Sequence, residues 1–247
     1  MKQSLKTEIL LKFDRTPESS QFLRGLMRDS AVYVFGGVVR NFLDKNLNKA
    51  RDIDLVLCSH NRRKINIPSY LGSKVVYRKN RYDGYKIIFS EDFIVDVWNL
   101  QDTWAFKYKK TKLLPTVINL MKTVYLNIDA LVYSLNRGVF LGKCDEHYRT
   151  NIHSLDIVFP QNPYENLNLM RALIFHQEYS YAFSQEYSYA FSQALINRFK
   201  NYIKGKGTME RAVQDLANVQ LSHYHKLIIP EKELFILIKK IYMENKI

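Results

Sequence analysis

The stretch that most constrains the fold is residues 31–57, AVYVFGGVVRNFLDKNLNKARDIDLVL. A hydrophobic run ends in Gly36-Gly37, Arg40 follows three residues later, and a second hydrophobic run carries Asp52-Ile53-Asp54. The two runs predict strands over 31–37 and 52–58, with a short helix over 38–46 between them. Paired glycines lack a Cβ and let the backbone approach a phosphate closely. Amides at the start of a helix favour an anion. Along a strand, residues i and i+2 point to the same face. Asp52 and Asp54 should therefore project side by side while Ile53 turns into the core. Adjacent carboxylates repel unless something positive sits between them. Mg²⁺ suits that place, since it prefers carboxylates together with substrate phosphates. The layout points to a two-metal site that handles a triphosphate.

A third carboxylate should complete such a site. Asp96, in FIVDVWNL, is the candidate, because an unpaired charge on an apolar strand is expensive unless it faces a cation. Glu91 and Asp92 read as turn residues. Trp98 and Trp104 are expected to anchor the core.

The rest of the chain supplies the frame. Thr16-Pro17 reads as an N-cap and first helical position, opening a helix to about Asp29 with Phe22, Leu23, Leu26 and Met27 as its buried stripe. Strands are expected over 74–78, 84–90 and 93–98, with turns at Asp83-Gly84 and Glu91-Asp92. From about residue 101 the pattern becomes mostly helical, punctuated by Pro160 and Pro163. The expectation is an α+β fold: a mixed sheet with helices in residues 1–150, then an α-helical region in 151–247. An octapeptide, QEYSYAFS, occurs at 177–184 and again at 185–192. Eight residues are a little over two helical turns, so the copies are expected to continue one helix and lengthen it by about 12 Å.

Composition narrows the class. The chain of 247 residues is 47% hydrophobic, enough for a real core. No apolar run approaches the roughly 20 residues that span a bilayer. The N-terminal segment lacks a signal-peptide pattern, which makes a cytoplasmic location the expectation. Two cysteines, Cys58 and Cys144, cannot build a disulfide framework or a cysteine-rich zinc site. The net charge of +13 suggests a polyanionic partner such as nucleic acid. Three basic segments could contact it: Asn61–Lys64, Tyr77–Tyr82 and Lys107–Lys112. In the last of these, Lys107, Lys109 and Lys110 are the candidate RNA contacts.

The segment from Gly36 to Asp54 resembles the head domain of the class II tRNA nucleotidyltransferase and bacterial poly(A) polymerase family, within the DNA polymerase β-like superfamily. That family's GGxVRD corresponds to Gly36, Gly37, Val39, Arg40 and Asn41, and its DxD to Asp52 and Asp54. Its third carboxylate lies at the end of a later hairpin, matching Asp96. Its RRDFTINALAY motif is echoed by Thr123–Tyr133, TVYLNIDALVY, and its EDxxRxLRAxRF motif by Tyr164–Phe175, YENLNLMRALIF. The resemblance implies a polymerase β-like nucleotidyltransferase head followed by a helical neck. It implies an NTP substrate and Mg²⁺ as cofactor, with Asp52, Asp54 and Asp96 as catalytic metal ligands. Gly36, Gly37 and Arg40 would position phosphates.

The departures bear on specificity. Asn41 stands where the family has Asp. Thr123, Val124 and Tyr125 replace the triplet that holds the nucleotide's sugar, and Asp129 replaces that motif's Asn. Glu165 and Asn168 occupy the positions whose Asp and Arg read the base. Asn is no substitute for a bidentate, always-charged guanidinium. Arg171 is expected to stabilise the neck or approach the nucleotide. The resulting expectation is transfer of a nucleoside monophosphate to an acceptor hydroxyl, with a tRNA-like or other RNA 3′ end as acceptor, but without ordered CCA addition. Two alternatives stay open: a nucleotidyltransferase that modifies protein, and a non-catalytic RNA-binding relic of the fold.

Overall fold

The computed structural model describes residues 4–47, 52–60, 63–80, 82–151, 154–182 and 190–243. The chain divides into two units, one of Met1–Val124 with Ile128–Arg149, the other of Tyr125–Asn127 with Thr150–Ile247.

Among the described residues, the first unit is built on a seven-stranded mixed sheet. Helices α1 (Leu5–Phe13) and α2 (Pro17–Asp29) lead into β1 (Ser30–Phe35), α3 (Gly37–Leu43) and β2 (Asp52–Ser59). The hairpin strands β3 (Val76–Lys79) and β4 (Tyr85–Ser90) precede β5 (Phe93–Asn99). Two short helices, α4 (Trp104–Lys107) and α5 (Val117–Met121), come before β6 (Val132–Ser134) and β7 (Val139–Phe140), and α6 (Cys144–Asn151) follows. The strand order is β3-β4-β5-β2-β1-β6-β7. The β2–β5 pairing is parallel, and the other pairings of these strands are antiparallel.

Alternation along the strands sets the core. Ile53, Leu55 and Leu57 on β2 and Phe93, Val95 and Val97 on β5 are all buried. The helices close over an aromatic cluster in which Phe13 meets Phe93 edge-on at 5.0 Å and Phe22 meets Phe89 at 5.6 Å. Helix α2 starts as its sequence dictates, with the Thr16 side chain accepting from the Ser19 N–H and Pro17 in the first turn. Two parts of this unit go beyond the sequence expectation. Helix α1 is capped by Ser4 and buries Leu5, Ile9 and Phe13. Strands β6 and β7, of three and two residues, extend the sheet past β1 where the sequence pattern suggests mostly helix.

The β3–β4 hairpin turns at Asp83, whose φ is 61°. Gly84 follows, and a Cβ there would lie 2.0 Å from the Trp98 Nε1. Trp98 thus lies over the hairpin only because residue 84 has no side chain. Gly84→Ala should force the indole aside and lower stability by about 1–3 kcal/mol, as overpacking does. A chemical-denaturation midpoint checks this.

The second unit is mainly helical: α7 (Glu165–Ala182), α8 (Gln193–Lys206), α9 (Met209–Tyr224) and α10 (Glu231–Met243), with a short parallel pair, β8 (Ser154–Leu155) and β9 (Ala190–Phe191). Leu169, Met170, Ala172, Leu173, Ile174 and Phe175 of α7 are all buried. Gln220 of α9 is fully buried, accepts from the Ile228 and Ile229 amides and donates to the Ile229 carbonyl, tying down the turn before α10.

The octapeptide copies do not continue one helix. Residues 177–182 of the first copy belong to α7, but Ala190–Phe191 of the second form β9 and Ser192 caps α8. Residues 183–189 lie outside the described residues. Ala182 and Ala190 hold the same place in the two copies and adopt helix and strand respectively. Context decides: Phe191 packs between His176 at 4.6 Å and Phe199 at 5.7 Å, and the Ser192 hydroxyl donates to Asp156. Local propensity is a weak prior beside such packing.

Candidate active site

The site begins where β1 ends. Gly36 has φ 62° and ψ −126°, a conformation open to glycine and strained for other residues. This turn reverses the chain into α3. A Cβ at Gly36 would lie 3.9 Å from the Asp54 Oδ2, so the turn borders the first carboxylate pair.

Asp54 is directly opposite Phe35 on β1 and Asp96 on β5. Asp96 is in turn opposite Lys86 on β4. Residues in register on neighbouring strands share a face, and Asp52 shares it with Asp54 two residues on. Asp52, Asp54 and Asp96 therefore project from one face of the sheet, opposite Ile53 and Val95. Asp96 is buried, whereas Asp52 is partly exposed.

Lys86 joins this face without any motif to announce it. Its ammonium lies 2.8 Å from the Asp96 Oδ2 and 3.8 Å from the Asp52 Oδ2. Burial pushes the Asp96 carboxyl above the usual carboxylate range; the hydrogen bond and charge of Lys86 pull it back, and Asp52 pushes it up further. A signal for this lysine is present in the sequence. Alternation in YKIIFS places Lys86 opposite in facing to Ile87, and the hairpin register then brings it to Asp96.

The donor chemistry fits a hard, oxygen-preferring divalent cation: three carboxylates on one face, one of them buried and in need of a counter-charge. Among the described residues, no three acidic, histidine or cysteine groups close into a cluster that could hold a metal as they stand. The Lys86 ammonium supplies positive charge at Asp96 and Asp52 instead.

Arg40 is buried on α3 and forms an ion pair with Asp129, which is also buried. Both residues are expected at the nucleotide, and the structure joins them to each other. Thr123 is buried as well, its hydroxyl donating to the Leu120 carbonyl.

The remaining candidates lie in the second unit. Asn168 is buried, and its amide donates to the Pro163 carbonyl at 2.9 Å and the Asn162 side chain at 3.3 Å, so it braces the loop entering α7. Glu165 forms an ion pair with Arg198 of α8. Both border a pocket of about 460 Å³ with Asn166, Asn201, Tyr202 and Lys206. Nearby Tyr125 is buried, and that burial, against the lowering charge of Arg198, pushes its phenol up to about 12. Arg171 lies with its guanidinium 5.5 Å from the centre of the Phe175 ring. Arg198 could not be found by motif, because it reaches Glu165 from a different helix.

The basic segments are partly neutralised. Lys107 and Lys79 both pair with Asp83, and Lys64 pairs with Asp102. Asn61, Arg62 and Arg81 lie outside the described residues. Lys109 and Lys110 are exposed, Lys109 with φ 50°.

No protein-family model matches the sequence, and no curated protein does. Solved structures do resemble it. The Thermotoga maritima CCA-adding enzyme complexed with tRNA aligns with 98% of this chain and 55% of its own, at 15% identity and a TM-score of 0.57. A CCA-adding enzyme with CTP aligns with 98% of this chain and 56% of its own, at 13% identity and a TM-score of 0.57. A tRNA nucleotidyltransferase complexed with a primer tRNA and an incoming ATP analogue aligns with 87% and 57%, at 14% identity and a TM-score of 0.52. The chain spans a little over half the length of these enzymes. At such identities the likeness is one of fold: this chain has a mixed-sheet unit and a helical unit arranged in sequence as in these nucleotidyltransferases.

Proposed function

We propose that the protein is a Mg²⁺-dependent nucleotidyltransferase that moves a nucleoside monophosphate from an NTP to the hydroxyl of an RNA 3′ end, without ordered CCA addition. The observation that carries the reading is the placement of Asp52, Asp54 and Asp96 on one sheet face beside the Gly36 turn. The solved structures of similar fold, with CTP, with an ATP analogue and with tRNA, support it.

In this reading Asp52, Asp54 and Asp96 hold the divalent cation. When bound, such a cation neutralises phosphate charge and lowers the pKa of an acceptor hydroxyl. The Gly36-Gly37 turn brings backbone close to the triphosphate, and Asp129 fixes Arg40, which in turn fixes α3. The acceptor oxygen forms a bond to the α-phosphorus, the bond from that phosphorus to its leaving bridging oxygen breaks, pyrophosphate departs and the hydroxyl proton is released. Within the helical unit, Glu165 is held by Arg198, and the amide of Asn168 is committed to the Pro163 loop. Arg171 supports α7 through Phe175.

A second reading, a non-catalytic RNA-binding relic, draws on Lys86, which already supplies positive charge to Asp96 and Asp52. Incubation with Mg²⁺ and each labelled NTP in turn, with total RNA or total protein as acceptor, separates the possibilities. Label in RNA supports the main reading, label in protein makes the acceptor a protein, and label in neither, with RNA bound, favours the relic. Ordered completion of truncated tRNA with C, C and A would overturn the specificity claim.

RNA affinity should fall steeply with salt, as phosphate neutralisation releases counterions. Charge reversal at Lys109 and Lys110 should weaken RNA binding and reduce the salt slope by about 1–2, as for one or two lost phosphate contacts. Reversal at Lys107 also breaks its pair with Asp83, so it should cost stability too. Equal affinity of wild type and the Lys109/Lys110 variant across a salt titration removes this segment from the interface.

A further inference from the structure

We infer that Lys86 is a tethered cation that competes with the divalent metal for Asp96 and Asp52 and so sets the metal affinity of the site. The inference rests on the reading of these carboxylates as metal ligands, and it adds a residue to which that reading gives no role. Lys86 is in register with Asp96 across the β4–β5 pair, and its ammonium contacts the Asp96 Oδ2 at 2.8 Å and approaches the Asp52 Oδ2 to 3.8 Å. Asp96 is buried and the Lys86 side chain is about one-quarter exposed, so the pair is largely shielded from water.

The three carboxylates on this face are set against Lys86 and, one strand further out, the exposed Arg78, which is in register with Lys86. The ammonium sits against the Asp96 Oδ2 and near the Asp52 Oδ2, the place that a cation shared by these two carboxylates would take. A Mg²⁺ ion requires carboxylate oxygens at about 2.0–2.1 Å. A metal shared by the Asp96 and Asp52 oxygens would therefore displace the ammonium from them. The lysine stem can do this without moving the strand: it has four flexible carbons, and part of the side chain already reaches solvent. Binding of metal thus includes the cost of displacing Lys86, and the metal-free protein keeps its buried carboxylate compensated.

The test is a Mn²⁺ titration of the full chain without NTP, read by the loss of free-ion electron paramagnetic resonance signal, together with thermal melts in chelator and in Mn²⁺. Lys86→Met and Lys86→Gln should each bind Mn²⁺ at least about tenfold more tightly than wild type, the scale on which neighbours of metal ligands act. Both should melt lower than wild type in chelator and gain more from Mn²⁺. Lys86→Arg, which keeps the charge, should bind weakly like wild type. If either neutral variant binds Mn²⁺ no more tightly than wild type, Lys86 is not a competitor, while Mn²⁺ binding lost in Asp54→Asn would still uphold the carboxylate reading. If neither wild type nor any Lys86 variant binds Mn²⁺ in the millimolar range, both fall.

Discussion

Asp54→Asn will lose nucleotide transfer by about a thousandfold or more while keeping its fold. Charge stabilisation through a bound cation is worth several kcal/mol in the transition state, and each 1.36 kcal/mol is about tenfold in rate. Asp54 adjoins the Gly36 turn on one side and is in register with Asp96 on the other, so the loss falls where the two halves of the site meet. Removing one of three clustered negative charges also relieves repulsion, and the unfolding midpoint should hold steady or rise. Glu91→Gln, at an exposed turn beside β5, should leave transfer unchanged. Rates from single-turnover assays together with denaturation curves check all of this. A stable Asp54→Asn protein with undiminished transfer would place the chemistry elsewhere.

The second large effect concerns stability. Arg40 and Asp129 are both buried and paired, one on α3 and the other in the segment just before β6. Arg40→Ala or Asp129→Ala removes one member of this buried ion pair, and breaking such a pair costs about 3–5 kcal/mol. The double variant Arg40→Met/Asp129→Leu removes both charges and should be clearly more stable than either single variant, because burying apolar groups carries no desolvation penalty for charge. Urea unfolding of wild type, Arg40→Met, Asp129→Leu and their double variant gives the coupling directly. Additive losses, with the double variant worse than both singles, would mean that the pair is not an interdependent unit. Asp129→Asn should fall between wild type and Asp129→Ala, since an amide oxygen can still accept from the guanidinium.

The parts of this fold legible in the sequence are those governed by local periodicity. The period of two along the strands DIDLVL and FIVDVWN is enough to put Asp52 and Asp54 on one strand face and to turn Asp96 away from Val95 and Val97, and Thr16-Pro17 marks the start of α2. Helix α1 escapes a sequence reading because Leu10 and Leu11 lie outside its Leu5, Ile9 and Phe13 stripe and blur it. Strands β6 and β7 are too short to show a period; β6 forms on the edge of β1 and β7 on the edge of β6. The QEYSYAFS copies show most clearly where local reasoning fails, since identical sequence implies identical structure only if the surroundings match. Their neighbours differ, and packing of Phe191 against His176 and Phe199 overrides the shared propensity.

Within the site, the illegible part is who pairs with whom. The motifs point to Arg40, Asp129, Glu165 and Asn168 as contacts for a nucleotide. They carry no sign that Arg40 is held by Asp129, that Asn168 is committed to its own loop, or that Arg198 from α8 stands at Glu165. These are tertiary facts set by long-range contacts. Lys86 is intermediate: its facing is readable from alternation, but its partner depends on the hairpin register.

If the carboxylate face transfers a nucleoside monophosphate, it must cleave an NTP between its α- and β-phosphates. The direct measurement follows γ-labelled and α-labelled NTP in parallel, with RNA as acceptor and Mg²⁺ present, in wild type and in Asp52→Asn/Asp54→Asn. Wild type should release the γ label as pyrophosphate in equal amount to α label gained by the RNA, and the double variant should do neither. Release of the γ label as orthophosphate, or equal incorporation by the double variant, would contradict nucleotidyl transfer at Asp52, Asp54 and Asp96.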